Sequence, residues 1–299
     1  MAVVTIERVE PGSGEQEVAC CRALEEGHIL FFPRTPFALS EADRAFLLRQ
    51  RQVDSAYHKN IVYRPETDRV SNFVQQRPGD DEELRRVLRR YSQQAVAFVA
   101  ALLPRYARRW RVDYASFRPQ EEAGRRLPTR ARNDLLHVDA FPTRPTRGDR
   151  ILRIFTNVNP TAPRVWVTGE TFEELAERFA IPSGLLARAR RAGGVLGGLR
   201  RAARALGLPV AARSPYDEFM LRFHHFLKEN GDYQAAARKL TTAFPPGSTW
   251  MVFTDMVSHS VLSGQYALEQ TFIVPREALL LPEKAPVAIL ERLTGARLA

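Results

Sequence analysis

The order of hydrophobic and polar positions divides the chain into an N-terminal helical part and a later part made of short strands. Apolar residues recur every three or four positions between residues 81 and 110, which predicts a long amphipathic helix. A short helix is predicted from Glu15 to Glu26, and another begins after Ser40, a residue type that caps helices. The apolar run from His28 to Pro33 predicts a buried strand between these two helices.

After Tyr114 the pattern changes to short apolar or alternating runs separated by proline and glycine. Strands are predicted over residues 135–140, 150–157, 164–167, 249–258 and 268–274. Short strands with such turns predict a sandwich or barrel, with helices before it and inserted within it. The 44% hydrophobic content of 299 residues suffices for one large core, so one domain over residues 1–299 is the simplest organisation.

A basic helical insertion is expected at about residues 170–245. Within it, Ser214 and Pro215 predict a cap and first helical residue, and Gly231 is expected to end that helix. His224 and His225 lie on this helix. Because adjacent helical residues point about 100° apart, they do not form a two-ligand site, and we interpret both as structural.

Residues 185–213 combine seven arginines with several glycines, including Gly193, Gly194, Gly197 and Gly198, and a short apolar face. Such a basic amphipathic segment could lie on an anionic membrane surface. The alternative is a solvated insertion whose arginines contact nothing, and the sequence does not decide between the two.

The chain carries a formal charge of +10, and arginine supplies nearly all of its basic residues. Only four of the 44 lysines and arginines are lysines, which leaves 40 arginines. A GC-rich genome explains this bias without any function. The charge nevertheless favours an acidic partner such as nucleic acid, anionic lipid or a polyanionic sugar, because guanidinium groups pair well with carboxylates and phosphates.

The cysteines and the apolar runs bear on the compartment. Cys20 and Cys21 are adjacent and provide no disulfide framework, which favours a reducing compartment. No signal segment is recognisable at the N-terminus, and the longest apolar run, residues 95–103, is too short to span a membrane. We therefore expect a cytoplasmic protein that is soluble or peripheral to the inner face of the inner membrane.

His137 and Asp139 are the strongest candidates for chemistry. Side chains two positions apart in an extended segment point to the same side, so both can reach one ion. His259, in a later predicted strand, offers a third ligand. Two imidazoles and one carboxylate are the usual ligands of a non-haem Fe(II) oxygenase. Alone, a His-X-Asp tripeptide is common, and a surface hydrogen bond is its more frequent explanation.

The block from His137 to Trp166 resembles the Kdo 3-hydroxylases, a branch of the Fe(II)/2-oxoglutarate-dependent dioxygenases. Further similar segments are residues 24–40, 214–221 and 259–272. The resemblance implies an α+β, mainly β fold whose core is a double-stranded β-helix, or jelly roll. It also implies that His137, Asp139 and His259 bind Fe(II), that 2-oxoglutarate chelates the metal, and that O2 is consumed.

The implied reaction is hydroxylation at C3 of a Kdo residue of Kdo-lipid A, which gives Ko, succinate and CO2. Ascorbate is expected to stimulate it. Many dioxygenases of this fold bind the distal carboxylate of 2-oxoglutarate with an arginine about ten residues after the second histidine. Glu269 and Gln270 occupy that region here.

Another cation must therefore bind the distal carboxylate of the co-substrate. Arg153 is the first candidate, because it alternates with apolar neighbours on a predicted strand. Arg164 and Arg118 are the next candidates. For each arginine the alternative is exposure at the surface, and Trp166 is interpreted either as a pocket wall or as ordinary core.

Two other functions are compatible with the sequence. The same chemistry could act on another acidic target, as in a nucleic-acid demethylase or a small-metabolite hydroxylase. Nucleic acid is not expected, because no basic motif with interleaved aromatic residues is present. A non-catalytic binding protein on the same scaffold is disfavoured by the presence of all three candidate ligands.

Overall fold

The strands form one large and one small sheet. The computed structural model describes residues 2–10, 12–53, 60–186 and 213–299. Its strands are β1 (Val3–Thr5), β2 (Ile29–Phe32), β3 (Ile61–Arg64), β4 (Arg69–Ser71), β5 (Arg111–Arg118), β6 (Arg150–Asn157), β7 (Arg164–Thr171), β8 (Leu240–Phe244), β9 (Thr249–Phe253), β10 (Val257–Ser263) and β11 (Ala267–Val274).

The large sheet has the order β1-β2-β9-β6-β11-β5-β3-β4, and the small sheet has the order β10-β7-β8. All neighbouring strands are antiparallel except β1 and β2. The two sheets face each other, since Phe155 of β6 packs edge-on against Trp166 of β7 with ring centroids 4.9 Å apart. This arrangement agrees with the predicted jelly roll.

Eight α-helices lie in the described part of the chain. They are Gly14–Glu25, Glu41–Leu47, Asp80–Leu102, Pro104–Ala107, Phe172–Phe179, Pro215–Glu229, Gly231–Ala236 and Pro286–Thr294. The two predicted caps are present: the hydroxyl of Ser40 accepts from the N–H of Asp43, and that of Ser214 accepts from the N–H of Asp217. Among these helices, none combines the length with the apolar character needed to cross a bilayer.

The long helix Asp80–Leu102 covers the outer face of the large sheet. Ser92 on this helix donates to the side chain of Gln270 on β11 over 2.7 Å. Because successive side chains of a strand alternate between faces, the neighbouring Glu269 points to the space between the sheets. One end of that space is filled by buried residues from both sheets: Ile29, Phe155, Trp166, Phe244, Trp250, Val252, Val257 and Val261. The polar site described below also lies between the sheets.

Several predicted boundaries were wrong. The long helix ends at Leu102, not at Trp110, and a separate short helix begins with Pro104, whose ring prevents continuation of the first. The run 249–258 contains β9 and the start of β10 with a turn between them.

Gly231 does not end the helix before it. That helix finishes at Glu229, and Gly231 begins the next one, which is capped by the side chain of Asn230. The interval 170–245 starts within β7 and ends beyond β8, so both of its ends belong to the small sheet. Most of the arginine-rich segment, residues 187–212, lies outside the described residues.

Candidate metal centre and its surrounding charges

His137 and His259 are brought together by backbone pairing. The N–H of His137 donates to the carbonyl of His259 over 3.1 Å, and the reciprocal bond measures 2.9 Å. They form an isolated antiparallel bridge, so residues 135–140 are not the regular strand that was predicted. Opposed residues project to the same side, and the ring centroids lie 4.8 Å apart. The N–H of Asp139 donates to the carbonyl of Thr254 over 2.8 Å, which fixes the carboxylate beside the two rings.

A donor nitrogen of each histidine lies close to the carboxylate of Asp139. Oδ1 of Asp139 lies 3.7 Å from Nε2 of His137 and 4.0 Å from Nε2 of His259. Each ring uses Nδ1 to bond the carbonyl two residues earlier: His137 to Leu135 over 2.7 Å, and His259 to Val257 over 3.0 Å. An Nδ1–H donor leaves a lone pair on Nε2, which is the tautomer that metal ligation requires. The donor set therefore fits a divalent metal.

Burial keeps both rings neutral. Burial, followed by the charge of Lys228, holds the pKa of His137 well below its ordinary value. Burial also lowers the pKa of His259, although the nearby Asp139 carboxylate opposes that shift. Neutral imidazoles have their lone pairs available, so no proton competes with a metal at neutral pH.

A chain of alternating charges runs from Asp139 away from the centre. NH1 of Arg153 lies 3.0 Å from Oδ2 of Asp139, and its Nε lies 3.3 Å from Oε1 of Glu269. Arg118 donates to the other oxygen of Glu269 through Nε, over 3.2 Å, and through NH2. All four side chains are buried or nearly so, which makes their pairing strong and its loss costly.

These pairings set the ionisation of both carboxylates. Burial alone would raise the pKa of Asp139, but Arg153 and His259 lower it below its ordinary range. Burial opposes ionisation of Glu269 in the same way, yet Arg153 and Arg118 lower its pKa to about 2. Both groups are therefore anions at neutral pH, and Asp139 offers Oδ1 to a metal while Arg153 neutralises Oδ2.

Arg164 lies at the edge of this charge cluster and is fully buried. Its NH1 donates to the carbonyl of Gly264 over 2.7 Å, while NH2 lies 3.5 Å from Oε1 of Glu122. Burial, and then the like charge of Arg118, lower the pKa of Arg164 to about 10. Gly264 has a φ of +108°, and a Cβ there would lie 2.8 Å from the Cα of Arg164, so only glycine fits.

Trp166 lies in the core and also contacts the site. It belongs to the aromatic cluster between the sheets, and its ring also stacks on His259 with centroids 5.3 Å apart and planes 15° apart. Because the ring of Trp166 packs against His259, it limits the rotation of that imidazole.

Reasoning from sequence missed two residues of the site. Glu269 was noted only as a departure from other dioxygenases, yet it joins Arg153 to Arg118. His224 was interpreted as structural, but one of its ring nitrogens lies within 4.8 Å of donor atoms of His137 and Asp139. The alternation of β11 could have revealed Glu269. No local signal shows which of His224 and His225 faces the site.

A family model and several solved structures match nearly the whole chain and point to the same family. The family described as 3-deoxy-D-manno-oct-2-ulosonic acid (Kdo) hydroxylase matches residues 9–297. Among solved structures, the Kdo hydroxylase KdoO in complex with α-ketoglutarate (2-oxoglutarate) and Fe(III) is 34% identical, with a TM-score of 0.83 over 100% of this chain and 98% of that one.

Its complex with cobalt(II) is 35% identical, with a TM-score of 0.84 over 99% and 97% of the two chains. The complex with succinate and Fe(III) is 34% identical, with a TM-score of 0.81 over 99% and 97%. KdoO is described as a non-haem Fe(II) α-ketoglutarate-dependent dioxygenase. No curated protein matches the chain.

Proposed function

Because the chain belongs to the family of Kdo hydroxylases, we propose that it hydroxylates C3 of a Kdo residue of Kdo-lipid A and so forms Ko. It is an Fe(II)- and 2-oxoglutarate-dependent dioxygenase, which consumes O2 and releases succinate and CO2. The resemblance, the fold class, the enzyme class and the cofactors predicted from the sequence are confirmed by the family match and the solved relatives. The convergence of two imidazoles and one carboxylate carries the proposal.

His137, Asp139 and His259 are the proposed iron ligands. When bound, the iron with 2-oxoglutarate and O2 supplies the oxidant that removes a hydrogen atom from the sugar carbon. The protein orients this chemistry. Hydrogen bonds from Nδ1 fix both rings, Arg153 holds the outer oxygen of Asp139, and Trp166 packs against His259.

The charge cluster suits an anionic co-substrate. The cluster contains four arginines and three carboxylates: Arg118, Arg125, Arg153, Arg164, Asp139, Glu122 and Glu269. These side chains have a net charge of +1, and a divalent metal would raise it to +3. A 2-oxoglutarate dianion offsets two of these three positive charges, and it does so in a site where water screens charges weakly.

Arg153 and Arg118 are the proposed direct contacts to the co-substrate carboxylates. Their side chains keep 13% and 12% of their exposure, whereas Arg164 keeps 1%. Arg164 therefore supports the site by fixing the backbone at Gly264 and by adding positive potential. Trp166 supports it from the side of His259.

The proposed substrate is a lipid, so the protein would meet it at a membrane surface. Kdo carries a carboxylate and lipid A carries phosphates, so an arginine-rich protein of charge +10 is suited to that surface. We place the protein in the cytoplasm, peripheral to the inner face of the inner membrane. The arginine-rich residues 185–213 are the proposed membrane contact.

The test is a reaction with Kdo-lipid A, Fe(II), 2-oxoglutarate and ascorbate. We expect a mass gain of one oxygen atom on the Kdo residue, matched by an equal amount of succinate. Asp139→Ala and His259→Ala should abolish both products, while His225→Ala, outside the triad, should retain them. An unchanged lipid in the presence of metal-loaded protein would refute the substrate, and succinate release with a methylated oligonucleotide would favour a demethylase instead.

A further inference from the structure

A third imidazole, His224, is held over the proposed iron site by a firmly anchored helix. The helix Pro215–Glu229 begins with a reciprocal cap between Ser214 and Asp217. The carboxylate of Asp217 also accepts from the backbone N–H groups of Thr146 and Arg147, over 2.9 and 3.0 Å. These bonds tie the start of the helix to the loop that follows the His-X-Asp segment. The backbone at His224, two turns further on, is therefore held beside that segment.

The protonation of His224 is determined by its backbone partner. Nδ1 donates to the carbonyl of Val138, the residue between His137 and Asp139, over 2.8 Å. Nε2 consequently bears a lone pair and no proton. Within the described part of the chain this nitrogen has no hydrogen-bond partner, and the ring stands edge-on to His137 with centroids 4.8 Å apart.

This arrangement limits what His224 can do. Because Nδ1 carries the ring proton that bonds the carbonyl of Val138, Nε2 cannot donate one. A lone pair in that position can only accept a hydrogen bond or bind a metal. A nitrogen of this ring lies within 4.8 Å of the donor atoms of His137 and Asp139, close to the span of one coordination sphere.

We propose that His224 is a fourth, displaceable metal ligand, which binds the ion until 2-oxoglutarate arrives. The inference rests on the ligand triad proposed above. Four protein donors leave two of six octahedral positions, and a bidentate co-substrate would fill both and leave none for O2. His224 must therefore leave the metal when 2-oxoglutarate binds. While 2-oxoglutarate is absent, His224 supplies a fourth protein ligand and so protects the ion from loss.

The inference can be tested with Co(II), a metal bound by the similar KdoO structure. Titration without 2-oxoglutarate should show His224→Ala binding Co(II) at least about tenfold more weakly than the unaltered protein, since even loss of a supporting partner has that effect. With saturating 2-oxoglutarate the difference should fall below about twofold. Because coupling is reciprocal, 2-oxoglutarate should then bind the cobalt form of the variant about tenfold more tightly.

His224→Asn separates ligation from positioning. Its side-chain amide can still donate to the carbonyl of Val138, but it has no atom in the place of Nε2. We expect it to match His224→Ala. Full recovery of Co(II) affinity would overturn the proposal, because the imidazole would then act only through the backbone. X-ray absorption should report three imidazoles on the cobalt without co-substrate and two with it.

His225→Ala is the matched control, since the adjacent ring lies on the same helix and its charged neighbours are Arg130, Glu229 and Lys228. It should bind Co(II) as the unaltered protein does. Equal weakening of His224→Ala with and without 2-oxoglutarate, or no weakening at all, would overturn the inference. Failure of the unaltered protein to bind Co(II) would instead overturn the proposed triad.

Discussion

Glu269→Gln tests the charge chain behind Asp139. Glu269 is the only carboxylate shared by Arg118 and Arg153 in the described part of the cluster, and its side chain is 5% exposed. Glutamine keeps the shape but removes the charge and turns an N–H2 group toward one of the guanidinium groups. Two buried arginines then lose their common partner, which is among the most costly kinds of polar substitution.

The expected loss follows from the pKa. Arg153 and Arg118 lower the pKa of Glu269 from its ordinary 4.5 to about 2. That difference corresponds to about 3 kcal/mol of stability at pH 7. A lowered folded-state pKa stabilises above the unfolded value, and this contribution disappears as the pH falls through the folded value. At pH 3.5 about 2 kcal/mol should remain.

The assay is urea unfolding at pH 7 and at pH 3.5, followed by tryptophan fluorescence. The free energy of unfolding of Glu269→Gln should lie about 3 kcal/mol below that of the unaltered protein at pH 7, and the gap should narrow at pH 3.5. Glu177→Gln, on an exposed position of the helix Phe172–Phe179, should differ by no more than about 0.5 kcal/mol. If the two proteins have the same free energy of unfolding, or differ equally at both pH values, Glu269 is not an ionised partner of the arginines.

Three further variants follow from the structure. Arg153→Lys keeps the positive charge, but a lysine cannot contact Asp139 and Glu269 together. Titration of the Fe(II) protein with 2-oxoglutarate should therefore show binding at least about tenfold weaker. Unchanged affinity would contradict the role of Arg153 as a contact of the co-substrate. Gly264→Ala forces a Cβ against Arg164 and should lower the free energy of unfolding by about 1–3 kcal/mol in urea, and a neutral result would refute the close approach. Ser214→Ala removes the helix cap and should cost about 1 kcal/mol in the same measurement, whereas no change would mean that the cap does not stabilise the helix.

Local signals predicted the elements whose hydrogen bonds are local. The boundaries of β6 agree with the alternating run 150–157, and β11 begins one residue before the predicted 268. The caps at Ser40 and Ser214 were predictable because a hydroxyl bonds the backbone only three residues away.

Elements fixed by distant partners were not predictable in the same way. The His-X-Asp segment has no ladder of its own, and its geometry comes from the two bonds between His137 and His259 and from the bond of Asp139 to Thr254. Strands β9 and β10 were predicted as one strand, because only Thr254 and Asp255 interrupt the apolar residues from Trp250 to Val257. The turn between them contains no glycine or proline, and only Asp255 marked it, a buried residue that pairs with Arg150 over 3.0 Å.

The cation that serves the co-substrate shows how strand register limits inference from sequence. Glu269 and Gln270 stand where an arginine was looked for, and a shift of one residue would exchange their faces. The bond from Ser92 fixes Gln270 on the helix side, and Glu269 then faces the site. An inward carboxylate needs cations on the strands that flank β11, which are β5 and β6. These strands supply Arg118 and Arg153, so the positive charge missing from β11 is provided by its two neighbours.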